Sequence, residues 1–302
     1  MADSKQIVKK IDIHAHTVRV LGIPRVGGSN FALPHELIEM YDILGVEKGV
    51  LLPTVSPDCG FTTSTNEENF EIARANPERF AFFCCIDPRV GNNSPETDFG
   101  YFVKYYKEQG AKGCGEMICN LYFDDPKVLA LFKACEEYDM PITFHIGHTN
   151  GEYGLIDDFG LPRLEKVLQM FPNLKFLAHS QRFWSHISGD VNEETMHGWP
   201  QGTVTEGGRV VELMRKYPNL CGDLSAGSGF NAVSRDPEFG YKFIEEFQDK
   251  LYFGLDLCDP DNINQKGRIG LVEFLDTAML EGKISYEAYL KVSRENALKI
   301  LK

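Results

Sequence analysis

The sequence predicts a single (β/α)8 (TIM) barrel, and three observations carry that prediction. Eight short β-rich runs follow one another along the 302 residues. Stretches with helical apolar spacing separate them, and nothing is left over for a second core. Such an alternation builds a parallel sheet covered on its outer face, and eight units favour closure over an open doubly wound sheet. One domain over residues 1–302 is expected, with no linker, internal repeat or low-complexity stretch.

The first four strands are expected over 7–16 (IVKKIDIHAH), 45–53, 80–87 (FAFFCCID) and 110–118 (GAKGCGEMI). The last four are expected over 140–147 (MPITFHIG), 173–180 (NLKFLAHS), 219–226 (NLCGDLSA) and 251–258 (LYFGLDLC). Val128, Leu131, Phe132 and Cys135 share one helical face, as do Val210, Leu213, Met214 and Tyr217. Helix starts carry cap chemistry: Asp125-Pro126, Asp236-Pro237, and Thr65 with Glu68 at capping-box spacing. Proline breakers at Pro77, Pro172 and Pro218 turn the chain back into the sheet. Two connections, 17–33 and 181–206, are longer than a barrel needs. Both leave C-terminal ends of strands, the face on which barrels build active sites, and are expected to be binding loops.

Composition narrows the function classes. The chain carries 31 Lys and Arg against 44 Asp and Glu, a net charge of −13, with no basic block. That balance argues against nucleic-acid or membrane-surface partners. The longest apolar run, Phe80–Ile86, is far too short to span a bilayer, and the N-terminus lacks the apolar stretch of a secretory signal. The eight cysteines form no C-x-x-C pair and several fall in apolar strand runs, so reduced thiols and a cytoplasmic location are expected.

The chemistry sits at the strand ends. His14 and His16 are two residues apart in strand 1, a spacing that points both side chains the same way. Glu116 closes strand 4, His145 strand 5, His179 strand 6 and Asp256 strand 8. A closed barrel brings these ends onto one ring, where imidazole and carboxylate ligands suit zinc or a comparable divalent ion. Only Glu116 and Asp256 among the acids are expected to face this centre. The remaining acids belong to solvated outer faces such as EEY at 136–138. Near the mouth, Arg19, Arg25, Arg89 and Arg182 are candidates to clamp a substrate carboxylate, with Arg182 foremost because it follows His179 by three residues. Trp184 and His148 are further candidates for substrate contact, His148 also as support for His145. His35, His186 and His197 are read as loop or surface residues. No G-x-S-x-G, P-loop or dinucleotide fingerprint is present.

The motifs IDIHAH at 11–16, FHIGH at 144–148, FLAHS at 176–180 and FGLDLCD at 253–259, with SRENALKIL at 293–301, resemble the amidohydrolase superfamily. The likeness is to the amidohydrolase-related branch that includes aminocarboxymuconate-semialdehyde decarboxylase and pyrone-dicarboxylate lactonase. It runs from strand 1 to the last helix. The resemblance implies metal ligation by His14, His16, His145 and Asp256, with His179 binding a second metal or holding the reactive water and substrate. Strand 4 departs from many two-metal relatives, which carry a carboxylated lysine there; Glu116 looks more like the Gly-Glu of TatD-type members. The ligand role of Glu116, and one ion against two, therefore stay open.

The resemblance implies a metal-dependent hydrolase acting on an amide, ester or lactone of a small, anionic molecule. Asp256 would move the proton and His179 would hydrogen-bond the water or oxyanion. The expected ion is zinc, with manganese second. A non-oxidative decarboxylase of an aromatic or dienoic acid is the alternative with the same parts. A non-catalytic barrel is disfavoured by the complete ligand ring, and a TatD-like nuclease by the missing basic groove. Self-association into a homo-oligomer is compatible with the family and fixed by no feature of the sequence.

Overall fold

The structure, a computed structural model, describes residues 5–25, 27–59, 62–149 and 151–302. Eight strands form two parallel arcs, and a two-residue ninth, Leu155–Ile156, pairs beside the strand Ile142–Gly147 off the main path. In the first, β1 (Lys10–Ala15) pairs with β2 (Val46–Leu51), which pairs with β3 (Phe80–Phe82). In the second, β4 (Cys114–Met117), β5 (Ile142–Gly147), β6 (Phe176–His179), β7 (Leu220–Asp223) and β8 (Leu251–Tyr252) pair in chain order. Single parallel bridges join the arcs at both ends, Cys84 to Cys114 and Ala15 to Leu257. The eight strands thus succeed one another around a (β/α)8 barrel.

The sequence reading expects unbroken ladders with strand 3 running to 87 and strand 8 to 258, and here the structure differs. Regular pairing stops at Phe82 and Tyr252. At the second seam the cause is local. Asp256 adopts a left-handed backbone with φ of 53°, which no regular strand contains. The carboxylate of Asp12 then takes the place of ladder carbonyls, accepting the N–H of His14 and of Leu255 at 3.0 Å each. Tyr41 donates its hydroxyl to the same carboxyl at 2.8 Å, and burial still pushes Asp12 up to about 7.

Two apolar layers hold the barrel. Inside it, Ile11, Ile13, Val50, Leu52, Phe83, Leu177, Cys221 and Tyr252 form one cluster, closed at the N-terminal end by Ala297 of the last helix, Asn296–Ile300. Asn296 locks that helix in place, donating to the carbonyls of Gln248 at 2.7 Å and Leu251 at 2.9 Å. Outside it, residues such as Phe144, Phe176, Val128, Leu131, Val210 and Leu213 join strands to the amphipathic helices. The expected caps form: Asp125 accepts from Lys127 N, Asp236 from Phe239 N and Thr65 from Glu68 N. Glu68 does not complete a capping box, because its carboxylate takes the N–H of Arg19 instead.

Seven cysteines are free and buried, and the side chain of Cys59 lies outside the described residues. Among the described residues, no helix is long and apolar enough to cross a membrane.

Candidate metal centre

The predicted ligands arrive from several strand ends, His14 and His16 sharing that of β1, and the local chain explains their aim. In β5 and β6 the residues alternate: Phe144, Phe176 and Ala178 pack outward, while His145 and His179 point inward. Glu116 follows Gly115, whose φ is +147° and where a Cβ would stand 2.4 Å from the Thr143 carbonyl. Only glycine allows the β4 backbone to approach β5 so closely.

The ring nitrogens of strand 1 are oriented from behind. His14 Nδ1 lies 2.7 Å from Asp223 Oδ2, and His16 Nδ1 lies 2.9 Å from the Leu52 carbonyl. With both Nδ1 atoms donating, the two Nε2 lone pairs face each other at 3.1 Å. Glu116 Oε2 stands 3.5 Å from both of these nitrogens, and Asp256 Oδ1 stands 3.7 Å from His14 Nε2 and 3.4 Å from His16 Nε2. Donors about 2.0–2.2 Å from one ion lie roughly 3–3.6 Å from each other, so this set fits a divalent cation in size and in chemistry. The second Glu116 oxygen, Oε1, lies 3.0 Å from His145 Nδ1. Glu116, His145 and His179 form a further converging triad, as do His14, His179 and Asp256.

Electrostatics agrees with a site built for a cation. Burial works against charge on His14, yet the carboxylates of Asp223 and Glu116 outweigh it and raise its pKa well above the usual value. For His16, burial is likewise overcome, by Asp256 and Glu116. Glu116 is buried, and the surrounding imidazoles nonetheless hold it well below the usual carboxylate range. Asp256 is held down, against burial, by Arg268 and by His16 and His14. His179 moves the other way, to about 4, through burial and the proximity of His14. Its Nδ1 lies 2.9 Å from Ser225 Oγ, which also lies 3.2 Å from His14 Nδ1. The Ser225 proton thereby decides whether His179 Nε2 presents a lone pair or an N–H to the centre.

Not every predicted residue reaches this mouth. Arg89 is engaged by Asp87, at 2.8 and 2.7 Å, and by Asp58 at 2.5 Å, so it braces loops rather than offering a carboxylate clamp. Arg19 pairs with Glu71 on the outer surface. Arg25 stacks over Phe31, which in turn stacks on His16, and lies 3.7 Å from Asp259. Trp184 is 2 % exposed between barrel and helices; its ring packs against Gly222 and its N–H donates to the Asp223 carbonyl at 3.0 Å. That burial removes it from substrate contact. His186 is also structural, with Nδ1 on the Arg182 carbonyl at 2.7 Å and Nε2 accepting from Gly160 N. His148 and Arg182 do lie at the mouth. His148 faces His197 across 5.1 Å, and Arg182 Nε sits 3.6 Å from Glu152.

Four residues outside the sequence-based set stand beside the centre. Asp223 is a third inward-facing acid, and its place at the end of a β run was a usable signal. Ser225, two residues on, shares that signal more weakly. Arg268, ion-paired to Asp256, comes from the start of the helix Lys266–Leu280. Tyr153 packs its ring 4.7 Å from that of His145 and stands in the field of Glu116, Asp256 and Arg268. Nothing local in the sequence marks these last two.

The family model described as amidohydrolase matches residues 11–302. No curated protein matches the chain. Among solved structures, an uncharacterised TIM-barrel protein from Bordetella bronchiseptica is 16% identical with a TM-score of 0.61, over 97% of this chain and 98% of that one. A probable 2-pyrone-4,6-dicarboxylic acid hydrolase from Acinetobacter baumannii, solved with citric acid bound, is 13% identical with a TM-score of 0.56, over 97% and 99%. A dihydroxybenzoic acid decarboxylase from Polaromonas, solved with manganese and 2-nitroresorcinol, is 14% identical with a TM-score of 0.57, over 98% and 97%.

Proposed function

The chain belongs to the amidohydrolase family, and on that premise we propose that it is a metal-dependent hydrolase of a small carboxylated ester, lactone or amide. One observation carries the reading. Glu116 turns one oxygen to the His14 and His16 pair and the other to His145, so that its carboxylate could serve two neighbouring divalent ions. His14, His16 and Asp256 would hold one ion and His145 and His179 the other, zinc being the first expectation and manganese the second. When bound, such ions supply a hydroxide at neutral pH and polarise the scissile carbonyl.

The chain's own residues do the rest. Asp256 accepts the proton released by the attacking water at Oδ1 and returns it to the leaving group, while Arg268 on Oδ2 keeps the carboxylate oriented. His179, neutral above about pH 4, would either help hold a second ion or donate from Nε2 to the developing oxyanion, according to the Ser225 proton. Arg182 and His148 meet the substrate away from the reacting carbon.

A second reading, non-oxidative decarboxylation of an aromatic or dienoic acid, is favoured by the dihydroxybenzoic acid decarboxylase among the structural neighbours. One experiment separates the two. Purified chain is assayed for bound metal, then offered lactones, anilides and hydroxybenzoates with and without a chelator. Hydrolysis requires a new carboxyl group and no gas; carbon dioxide release identifies the second reading. Absence of stoichiometric metal, with stability indifferent to added zinc or manganese, would exclude both.

A further inference from the structure

Among the described residues, two rings other than histidines rest on imidazoles of the centre, and they differ in what they expose. Phe31 stacks on His16 at 6.0 Å and is 8 % exposed, an apolar cover. Tyr153 tilts over His145 at 4.7 Å and is 46 % exposed. Two glycines make its position possible. A Cβ on Gly147 would stand 2.5 Å from the Tyr153 carbonyl, and one on Gly154, whose φ is +118°, would stand 2.5 Å from Gly147 N. With no side chain between them, the loop after β5 folds back onto the strand it has just left. Gly154 N then donates to the Ile118 carbonyl at 2.7 Å, and Leu155 and Ile156 pair beside Ile146 and Gly147. Tyr153 is therefore fixed through its own main chain rather than carried on a free loop tip.

The hydroxyl at the end of this ring is unlike those of the buried tyrosines. Tyr41 and Tyr289 give theirs to Asp12 and Asp276 at 2.8 and 2.6 Å, whereas that of Tyr153 meets no hydrogen-bond partner among the described residues. It nevertheless points inward. Burial leads the effects that raise its pKa, Glu116 and Asp256 add to it, and Arg268 opposes them. Glu116 belongs to β4, while Asp256 and Arg268 lie across the barrel, so the hydroxyl reaches over the centre from the β5 side. A sheltered phenol with no acceptor is a donor kept for something else.

We propose that Tyr153 touches the substrate, its hydroxyl donating a hydrogen bond to the substrate oxygen that gains negative charge in the reaction. The inference rests on the reading of this centre as a small-molecule active site, and deepens it. His179 can serve that oxygen only while its Nε2 carries the proton. When Ser225 leaves a lone pair on Nε2, Tyr153 remains the donor. A donor held in place by its backbone before the substrate arrives needs little reorganisation, and it counts most where charge develops.

The probe is phenylphosphonate, whose tetrahedral anionic oxygens copy the charged intermediate of acyl transfer. It is titrated calorimetrically into the full chain, as purified and after incubation with zinc. Tyr153→Phe keeps the ring on His145 and removes only the hydroxyl. This variant is expected to bind the probe about ten-fold or more weakly than wild type, with metal content and melting temperature unchanged. Tyr153→Leu, which removes the ring as well, is expected to lose binding to a similar degree. Binding by Tyr153→Phe within about two-fold of wild type, a loss confined to Tyr153→Leu, or no binding by wild type would overturn the proposal. Loss of metal from Tyr153→Phe in step with its loss of probe would overturn it too, since the hydroxyl would then act on the centre and not on the substrate. Metal is counted on every sample before titration, which separates the two readings. Wild type that holds no ion yet binds the probe through the hydroxyl sinks the metal-dependent reading and leaves this assignment. Full metal content with binding indifferent to the hydroxyl does the reverse.

Discussion

His14 and Asp223 form the most deeply buried polar pair of the candidate site, with Nδ1 and Oδ2 2.7 Å apart and neither side chain exposed. Asp223 points the His14 proton away from the centre and leaves Nε2 free for a cation. An outer partner of this kind governs both tautomer and basicity of a ligand. Asp223→Asn keeps the shape but can turn an N–H toward Nδ1, which drives the ring proton to Nε2. Metal affinity, measured by chelator competition, is expected to fall about 10- to 100-fold. Wild-type affinity in the variant would show that His14 is not a ligand.

Glu116 is expected to matter for stoichiometry as much as for affinity. Because its two oxygens face different imidazoles, Glu116→Gln removes the shared charge from both halves of the centre. Bound metal, counted by mass spectrometry on extensively dialysed protein, is expected to drop by at least half. Full metal content in the variant would leave Glu116 as a second-row hydrogen-bond partner of His145 and favour a one-ion centre.

The positions of the candidate ligands are legible because strand ends are marked by short-range patterns. A run of apolar β-formers followed by His or an acid is visible at His145, His179, Glu116 and Asp256 without any knowledge of what lies across the barrel. The same pattern is present at Asp223, in NLCGDLSA over 219–226. Arg268 and Tyr153 could not be read, since their proximity to Asp256 and His145 is made by loop folding over long separations. Arg89 is engaged by a carboxylate only two residues away, that of Asp87. The seam between β8 and β1 is not legible in the sequence, because a side-chain carboxylate, Asp12, takes the N–H of Leu255 there in place of a ladder carbonyl.

Acid stability offers an independent check on the outer helices. Glu165, on the helix Pro162–Met170, accepts from Lys216 and the Tyr217 hydroxyl at 2.8 Å each and pairs with Arg209. Hydrogen bonds from Lys216 and Tyr217, then Arg209, hold its carboxyl down to about 2 against burial. A depressed folded-state value means stabilisation that is complete above the unfolded value of 4.5 and lost as pH falls toward 2. Glu165→Gln is expected to be less stable than wild type by about 1–2 kcal/mol at pH 7, since solvent screens part of the network. In denaturant melts the gap should close on acidification from pH 5 to pH 3; a gap independent of pH would mean that packing rather than charge holds the helices together.

Trp184 distinguishes a packing role from a binding one. Its indole fills the space left by Gly222, where a Cβ would approach it to 2.7 Å, and its N–H satisfies the carbonyl of Asp223, the residue that orients His14. Trp184→Phe leaves a small cavity and an unpaired buried carbonyl, together worth about 2–3 kcal/mol. The melting temperature is expected to fall by several degrees, with metal affinity reduced in proportion to any slackening of Asp223 and KM for the identified substrate unchanged. The opposite result, wild-type stability with a raised KM, would return Trp184 to the substrate side of the barrel. Because Asp223 is gripped through its carbonyl by Trp184 and through its carboxylate by His14, loss of the indole should loosen the site from behind, where no substrate contact exists to compensate.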